Sequence, residues 1–130
     1  MIWLEVFAVF MVSHLVGDFA LQTEWQAQNK HCGLSRDPTA RRALLAHVVT
    51  YTLAFVPAFI WLWDESGALV LVVAALLFAT HLVQDDGRPI SAYMRTVKHA
   101  DPAAHRTVAA AVDQTFHVLV IFGLSLLAVA

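Results

Sequence analysis

Four stretches of this chain, residues 2–22, 43–63, 68–84 and 108–130, are apolar with few charges. Roughly 20 such residues carry a helix across the hydrocarbon of a bilayer. Lipid offers the backbone no hydrogen-bond partner, so a spanning segment of this kind is helical. Composition agrees, because 59% of the 130 residues are hydrophobic and 14% are charged, where a soluble domain carries about a quarter charged. The expected fold is an all-α membrane protein, a four-transmembrane-helix up-down bundle. It occupies 1–130 as a single integral-membrane domain, with helices over about 2–30, 38–63, 67–86 and 102–130. The first segment lacks a basic leader and a small-residue cleavage site, so it reads as a retained helix. Cys32 is alone and forms neither an internal disulfide nor a cysteine-type zinc site.

Punctuation between the spans fits this division. The first helix is expected to run on through Thr23–Lys30 and stop at Gly33 as a C′ residue. Asp37-Pro38 and Asp101-Pro102 each read as an N-cap followed by proline, opening the second and fourth helices. Asp64-Glu65-Ser66-Gly67 reads as a polar turn joining the second and third helices, and Asp86-Gly87-Arg88-Pro89 ends the third. Between the third and fourth helices, Ile90, Tyr93, Met94 and Val97 recur at helical spacing while Arg95 and Lys98 take another face. That segment fits a short amphipathic interfacial helix, or equally an irregular loop.

All eight basic residues, Lys30, Arg36, Arg41, Arg42, Arg88, Arg95, Lys98 and Arg106, fall in the 1–2 and 3–4 connections. Under the positive-inside rule those connections are cytoplasmic and both termini face outward. A multi-pass protein of the bacterial inner membrane is the expected setting. Trp3, Trp61 and Trp63 near the outer helix ends fit an aromatic belt. The net charge of -2 gives no sign of a nucleic-acid partner. Membrane lipid, a lipid-linked substrate and a second copy of the chain are the partners to consider.

Against this apolar background, polar residues recur inside every span. The first carries His14 and Asp18, the second His47, the third His81 and Asp85, and the fourth Asp113 and His117. In three of them the histidine and aspartate are four residues apart and share a helix face. An up-down bundle puts all of these in its cytoplasmic half. Ionisable groups within a span cost about 2.5–3.5 kcal/mol each on insertion scales, and they turn inward to find partners. Imidazole with carboxylate is a ligand set for a divalent cation, zinc first, then manganese or iron. Helix bundles build such sites from i, i+4 pairs on facing helices. His14, Asp18, His47, His81, Asp85, Asp113 and His117 are therefore candidate metal ligands. The bland reading is hydrogen-bonded polar glue between helices. Tyr51 reads as packing or an interface anchor, Gly17 as a point of close helix approach, and His31, His99 and His105 as surface residues.

The segment His14-Leu15-Val16-Gly17-Asp18-Phe19-Ala20-Leu21-Gln22, with Trp25 nearby, resembles an H-L-x-G-D-F-x-L-Q signature. That signature marks an uncharacterised family of small bacterial and phage inner-membrane proteins. Ala46-His47 with Tyr51, the His81–Asp85 pair and Asp113-Gln114 with His117 extend the resemblance over nearly the whole chain. In the family an aromatic residue and a lysine come directly after the third pair, whereas here Asp86-Gly87-Arg88 stands in that place. The resemblance brings no settled activity. It is loosely similar to inner-membrane metal-dependent hydrolases.

A metal-dependent hydrolase acting from the cytoplasmic side is the leading functional expectation. A bound cation would activate water. Asp18, Asp85 and Asp113 are the candidate catalytic carboxylates, and Arg42, Arg88 and Arg106 the candidate binders of an anionic, lipid-linked or phosphate-containing substrate. The alternatives are an ion or metal transporter, a haem-binding cytochrome, and a structural or accessory subunit. Transport wants polar groups through the full thickness, and the outer halves of the spans offer almost none. Carboxylates beside each histidine would crowd an apolar haem.

Overall fold

A computed structural model describes residues 2–130, and among these the chain is all-helical, with no strand. Seven α-helices run in chain order: α1 Trp3–Leu15, α2 Glu24–Asn29, α3 Pro38–Ala54, α4 Val56–Ser66, α5 Leu69–Asp85, α6 Arg88–Thr96 and α7 Arg106–Leu127. A single π turn, Val16–Ala20, continues α1. Trp3–Ala20 and Arg106–Leu127 are each long and apolar enough to cross a membrane. The number rises to four if each of two bent pairs, α3 with α4 and α5 with α6, makes one span.

The bends have local causes. Pro57 has no N–H and its ring clashes with the carbonyl four residues back, so the helix breaks at Phe55 and α4 leaves α3 at 52°. α6 leaves α5 at 59° through Gly87, whose φ of +80° favours a residue without Cβ.

Several expected boundaries move. The first helix does not run unbroken to Lys30. After the π turn the chain breaks, and Thr23 restarts it as α2 through a reciprocal cap: its Oγ1 accepts from the Gln26 N–H and Gln26 Oε1 accepts from the Thr23 N–H. The Thr-x-x-Gln spacing carries that signal. Gly33 is not a helix C′ residue; α2 ends at Asn29. Asp64, Glu65 and Ser66 extend α4, and the reversal falls at Gly67. α7 begins at Arg106, four residues later than expected. Asp101 instead closes one isolated turn, accepting from the Ala103 N–H on its side chain and the His105 N–H on its carbonyl. Asp37 caps α3 as expected, with Pro38 in the first turn. The segment after α5 is helical, and α6 buries Ile90 and Met94 while Val97 stays exposed.

Burial divides the molecule into two halves. Val6, Phe10, Phe55, Leu62, Val73 and Ile121 belong to an apolar core at the end carrying the termini. Phe10 meets Phe55 edge to face at 5.5 Å, a favoured aromatic geometry. The opposite end buries His14, Asp18, His47, His81, Asp85 and His117. Tyr51 stands between, packed on Phe55 at 5.1 Å on one side and stacked on the His81 ring at 3.4 Å on the other.

Two glycines should respond oppositely to Ala. A Cβ on Gly33 would run into Leu44 and the Ala40 carbonyl. Gly33→Ala should therefore destabilise by about 1–3 kcal/mol through overpacking. A Cβ on Gly123 meets nothing within 4 Å, so Gly123→Ala in α7 should be neutral or gain up to about 1 kcal/mol of helix propensity. Unfolding in detergent micelles, compared with the parent chain, measures both.

Candidate metal centre

The polar end is assembled from four places in the chain. The π turn after α1 presents Asp18, α3 presents His47, α5 presents His81 and Asp85, and α7 presents Asp113 and His117. A π turn adds a residue to one helical turn and so rotates the downstream residues about the axis. Here the Leu21 N–H reaches back to the Val16 carbonyl at 2.9 Å. Gly17 lets this turn lie against α3: a Cβ there would stand 2.6 Å from the Tyr51 ring and 3.2 Å from its Cα.

Four ligand-type atoms converge. Asp18 Oδ1 lies 3.2 Å from His47 Nε2 and 3.3 Å from His81 Nε2. Asp85 Oδ2 lies 2.8 Å and 3.4 Å from the same two nitrogens. The nitrogens are 3.0 Å from each other. All four residues are buried, none more than 7% exposed. A tetrahedral ion with bonds of about 2.0–2.1 Å has ligand–ligand edges of about 3.3 Å, and these separations fall within about half an ångström of that figure.

Neutral imidazoles do not satisfy this group. A neutral imidazole carries one N–H. If both histidines put it on Nε2, two hydrogens meet head-on; if either does not, a bare nitrogen faces carboxylate oxygens. Asp18 Oδ1 has no hydrogen-bond partner, and neither has either Nδ1, which a cation on the Nε2 side would leave unpaired. Buried polar groups are almost always paired. A cation among the four atoms would take every lone pair pointing inward.

A second group adjoins the first. His117 Nδ1 faces the Asp113 carbonyl at 2.8 Å, and a carbonyl only accepts, so this nitrogen carries the hydrogen. Nε2 points at Asp85 Oδ1, 3.0 Å away. Asp85, Asp113 and His117 therefore form another set that could hold an ion.

His14 stands apart from both groups. Gln114 donates through its amide to Asp113 Oδ2, at 3.3 Å, leaving Gln114 Oε1 to accept from His14 Nε2 at 3.0 Å. His14 Nδ1 then accepts the Tyr51 hydroxyl proton, again at 3.0 Å. Its nearest carboxylate oxygen is Asp18 Oδ2 at 3.5 Å. His14 thus orients the layer through neutral hydrogen bonds.

The three arginines part ways. Arg106 lines a groove of about 640 Å³ that reaches Asp113 and is also lined by Arg95, His31 and Gly87. Arg88 is held by Asp86 through two N–H groups, at 2.6 and 3.2 Å. Arg42 is exposed on α3 and does not line the groove.

Three participants escape the sequence pattern. Lys30 folds back so that Nζ reaches Asp85 Oδ2 and Gln22 Oε1, each at 2.6 Å. No spacing rule links Lys30 to a residue 55 positions on. Tyr51 is a working part of the layer, and its place one turn after His47 was the available signal. Arg95 reaches the groove because α6 is helical.

Asp86 holds the 1–2 connection in the position that Lys30 needs. Its carbonyl accepts from the Cys32 N–H at 2.8 Å, and its carboxylate accepts from the Leu34 N–H at 2.8 Å. Burial pushes the carboxyl up, but Arg88 and the Leu34 N–H favour the charged form more strongly, so the net pKa lies below the ordinary 3.8. A lowered carboxyl adds stability above its unfolded pKa and loses it as pH falls through the folded value. Docking of this connection should therefore weaken only below about pH 4. Asp86→Asn should remove that acid limb and loosen the connection at neutral pH. Limited proteolysis across residues 30–37 at graded pH measures both.

The family model described as protein of unknown function (DUF3307) matches residues 6–129, nearly the whole chain, and the chain belongs to that family. No curated protein and no solved structure matches it.

Proposed function

For this member of a family without an assigned activity, we propose a membrane-embedded metalloprotein that hydrolyses a phosphate-containing or lipid-linked substrate from the cytoplasmic side. One observation carries the metal: two imidazole nitrogens and two carboxylate oxygens converge in a buried space, 2.8–3.4 Å apart wherever they touch. His47, His81, Asp18 and Asp85 are its ligands. Nitrogen and oxygen donors at tetrahedral spacing favour zinc, with manganese or iron as substitutes. The four-span topology with both termini outside is supported by the confinement of every lysine and arginine to the two connections at the polar end. The chain is read as one integral-membrane domain.

A cation held here would supply Lewis acidity toward a phosphoryl or carbonyl oxygen and toward water by taking a fifth ligand. The chain's own groups do the rest. Asp18 and Asp85 stay charged ligands, fixed by the imidazoles around them. Asp113, with a side chain 29% exposed, is the carboxylate that meets the groove. Arg106 and Arg95 on its walls attract an anionic headgroup and hold it beside Asp113. Arg88 is already engaged by Asp86 and serves the fold, and Arg42 adds to the basic rim.

The geometry disfavours haem. His47 and His81 point their Nε2 atoms at each other across 3.0 Å, which leaves no room for a macrocycle. The unbroken apolar core at the terminal end disfavours a transport path.

Purified protein should carry about one tightly held divalent ion per chain by elemental analysis. His47→Gln and Asp18→Asn should each lower that content at least tenfold while circular dichroism stays helical. A panel of phospholipids, lipid diphosphates and lipid amides should reveal turnover that the same variants abolish. Full metal content in both variants would remove the centre. Retained metal without turnover of any panel member would remove the hydrolase and leave a metal-binding membrane protein.

A further inference from the structure

The carboxylate of Asp85 faces two ways. Oδ2 belongs to the buried group with His47, His81 and Asp18, and Oδ1 faces His117 Nε2 at 3.0 Å. His117 is itself buried, at 1% exposure, and its Nδ1–H is already committed to the Asp113 carbonyl. That commitment leaves Nε2 without a hydrogen in the neutral ring. A bare nitrogen then points at a bare carboxylate oxygen, an arrangement that either a second ring proton or a cation between them resolves. It is also the usual set-up of a metal-bound imidazole, oriented by a hydrogen bond from its outer nitrogen to a carbonyl. The Asp113 carboxylate completes the set, close enough to share an ion with the other two residues.

We infer that the site is binuclear: a second divalent cation binds between Asp85, His117 and Asp113, bridged to the first by the Asp85 carboxylate, and it takes the anionic group of the substrate from the adjoining groove. This inference rests on the metal centre proposed above and adds the second ion and the substrate-facing side.

Two features separate the positions. The first has four buried protein ligands, whereas the second has three and a side open to the groove. Three ligands with an open place is the pattern of catalytic sites, and four closed ligands that of structural ones. Two-metal sites that clamp a phosphoryl group from two sides hold their ions about 3.5–4 Å apart, and a shared carboxylate can bridge such a pair. Charge runs the same way. Asp18, Asp85 and Asp113 set against Lys30 leave two negative charges when all are ionised, which one divalent ion neutralises. A second ion leaves two positive charges, matched by a phosphate-type dianion. Arg95 and Arg106 on the groove walls add to that attraction. The second ion should therefore bind more weakly than the first, and more tightly when an anion accompanies it.

The test uses the full-length protein in detergent, stripped of metal and titrated with Mn²⁺, with and without inorganic phosphate. The expected result is two ions per chain, one at least tenfold weaker than the other. Phosphate should tighten the weaker at least threefold, and the paramagnetic resonance spectrum should become that of an exchange-coupled pair at full loading. Asp113→Asn and His117→Gln should each leave the tight ion in place and abolish the weak one, the phosphate effect and the coupling. Asp113 is partly exposed, so its variant tests the inference even if His117→Gln fails to fold. A single ion at saturation, lost in His47→Gln, would overturn the second position and leave the first intact. Two ions persisting in Asp113→Asn, or two without magnetic coupling, would also overturn it. Binding of no ion would remove both proposals together.

Discussion

The Asp85 carboxylate is the interaction on which the polar half of the molecule depends. It touches His47, His81, His117 and the Lys30 ammonium, each within 3.4 Å. Those four groups come from α3, α5, α7 and the 1–2 connection, so one side chain ties together most of the bundle's polar end. A carboxylate removed from water costs several kcal/mol unless charge and hydrogen bonds compensate. At Asp85 the compensation is crowded, and the crowding forces the surrounding imidazoles into one layer. Asp18 repeats the pattern from the π turn after α1 with less help, because one of its oxygens has no hydrogen-bond donor.

Tyr51 keeps this layer from leaking into the apolar half. Its ring stacks flat on His81, with 4° between the planes, and its hydroxyl fixes His14. On its other side lies Phe55, where α3 breaks before Pro57. A single aromatic residue thus presents an apolar edge to the core and a hydroxyl to the polar layer, the dual character that suits tyrosine to such boundaries. Gly17 completes the junction by letting the π turn settle directly onto this ring.

The elements were legible where the signal was local. Asp37-Pro38 opened α3 as its sequence promised, and Ile90 with Met94 marked the buried face of α6. Local signals also misled. Asp101-Pro102 looks the same as Asp37-Pro38 but closes only one turn, because the helix behind it does not propagate until Arg106. The π turn at Val16–Ala20 has no composition of its own and was invisible, although it aims Asp18. The recurrence of histidine in every span, with aspartate four residues away in three of them, pointed to a shared layer. Which of these residues face one another as ligands, and which, like His14, are satisfied by neutral partners, depended on rotations of a single helical turn.

The amino-acid sequence by itself determined that the chain is helical and apolar enough for a membrane, and that histidine and aspartate recur within its apolar segments. Those properties come from hydropathy and spacing along single helices. Tertiary structure alone decided that Asp18, His47, His81 and Asp85 converge, that Lys30 returns to Asp85 across 55 residues, and that Asp113 and Arg106 share a groove. The physical reason is that spacing fixes only the face of a helix on which a side chain lies. Helix rotation, the two breaks and the packing of one helix on the next set the few ångströms that distinguish a ligand from a neighbour.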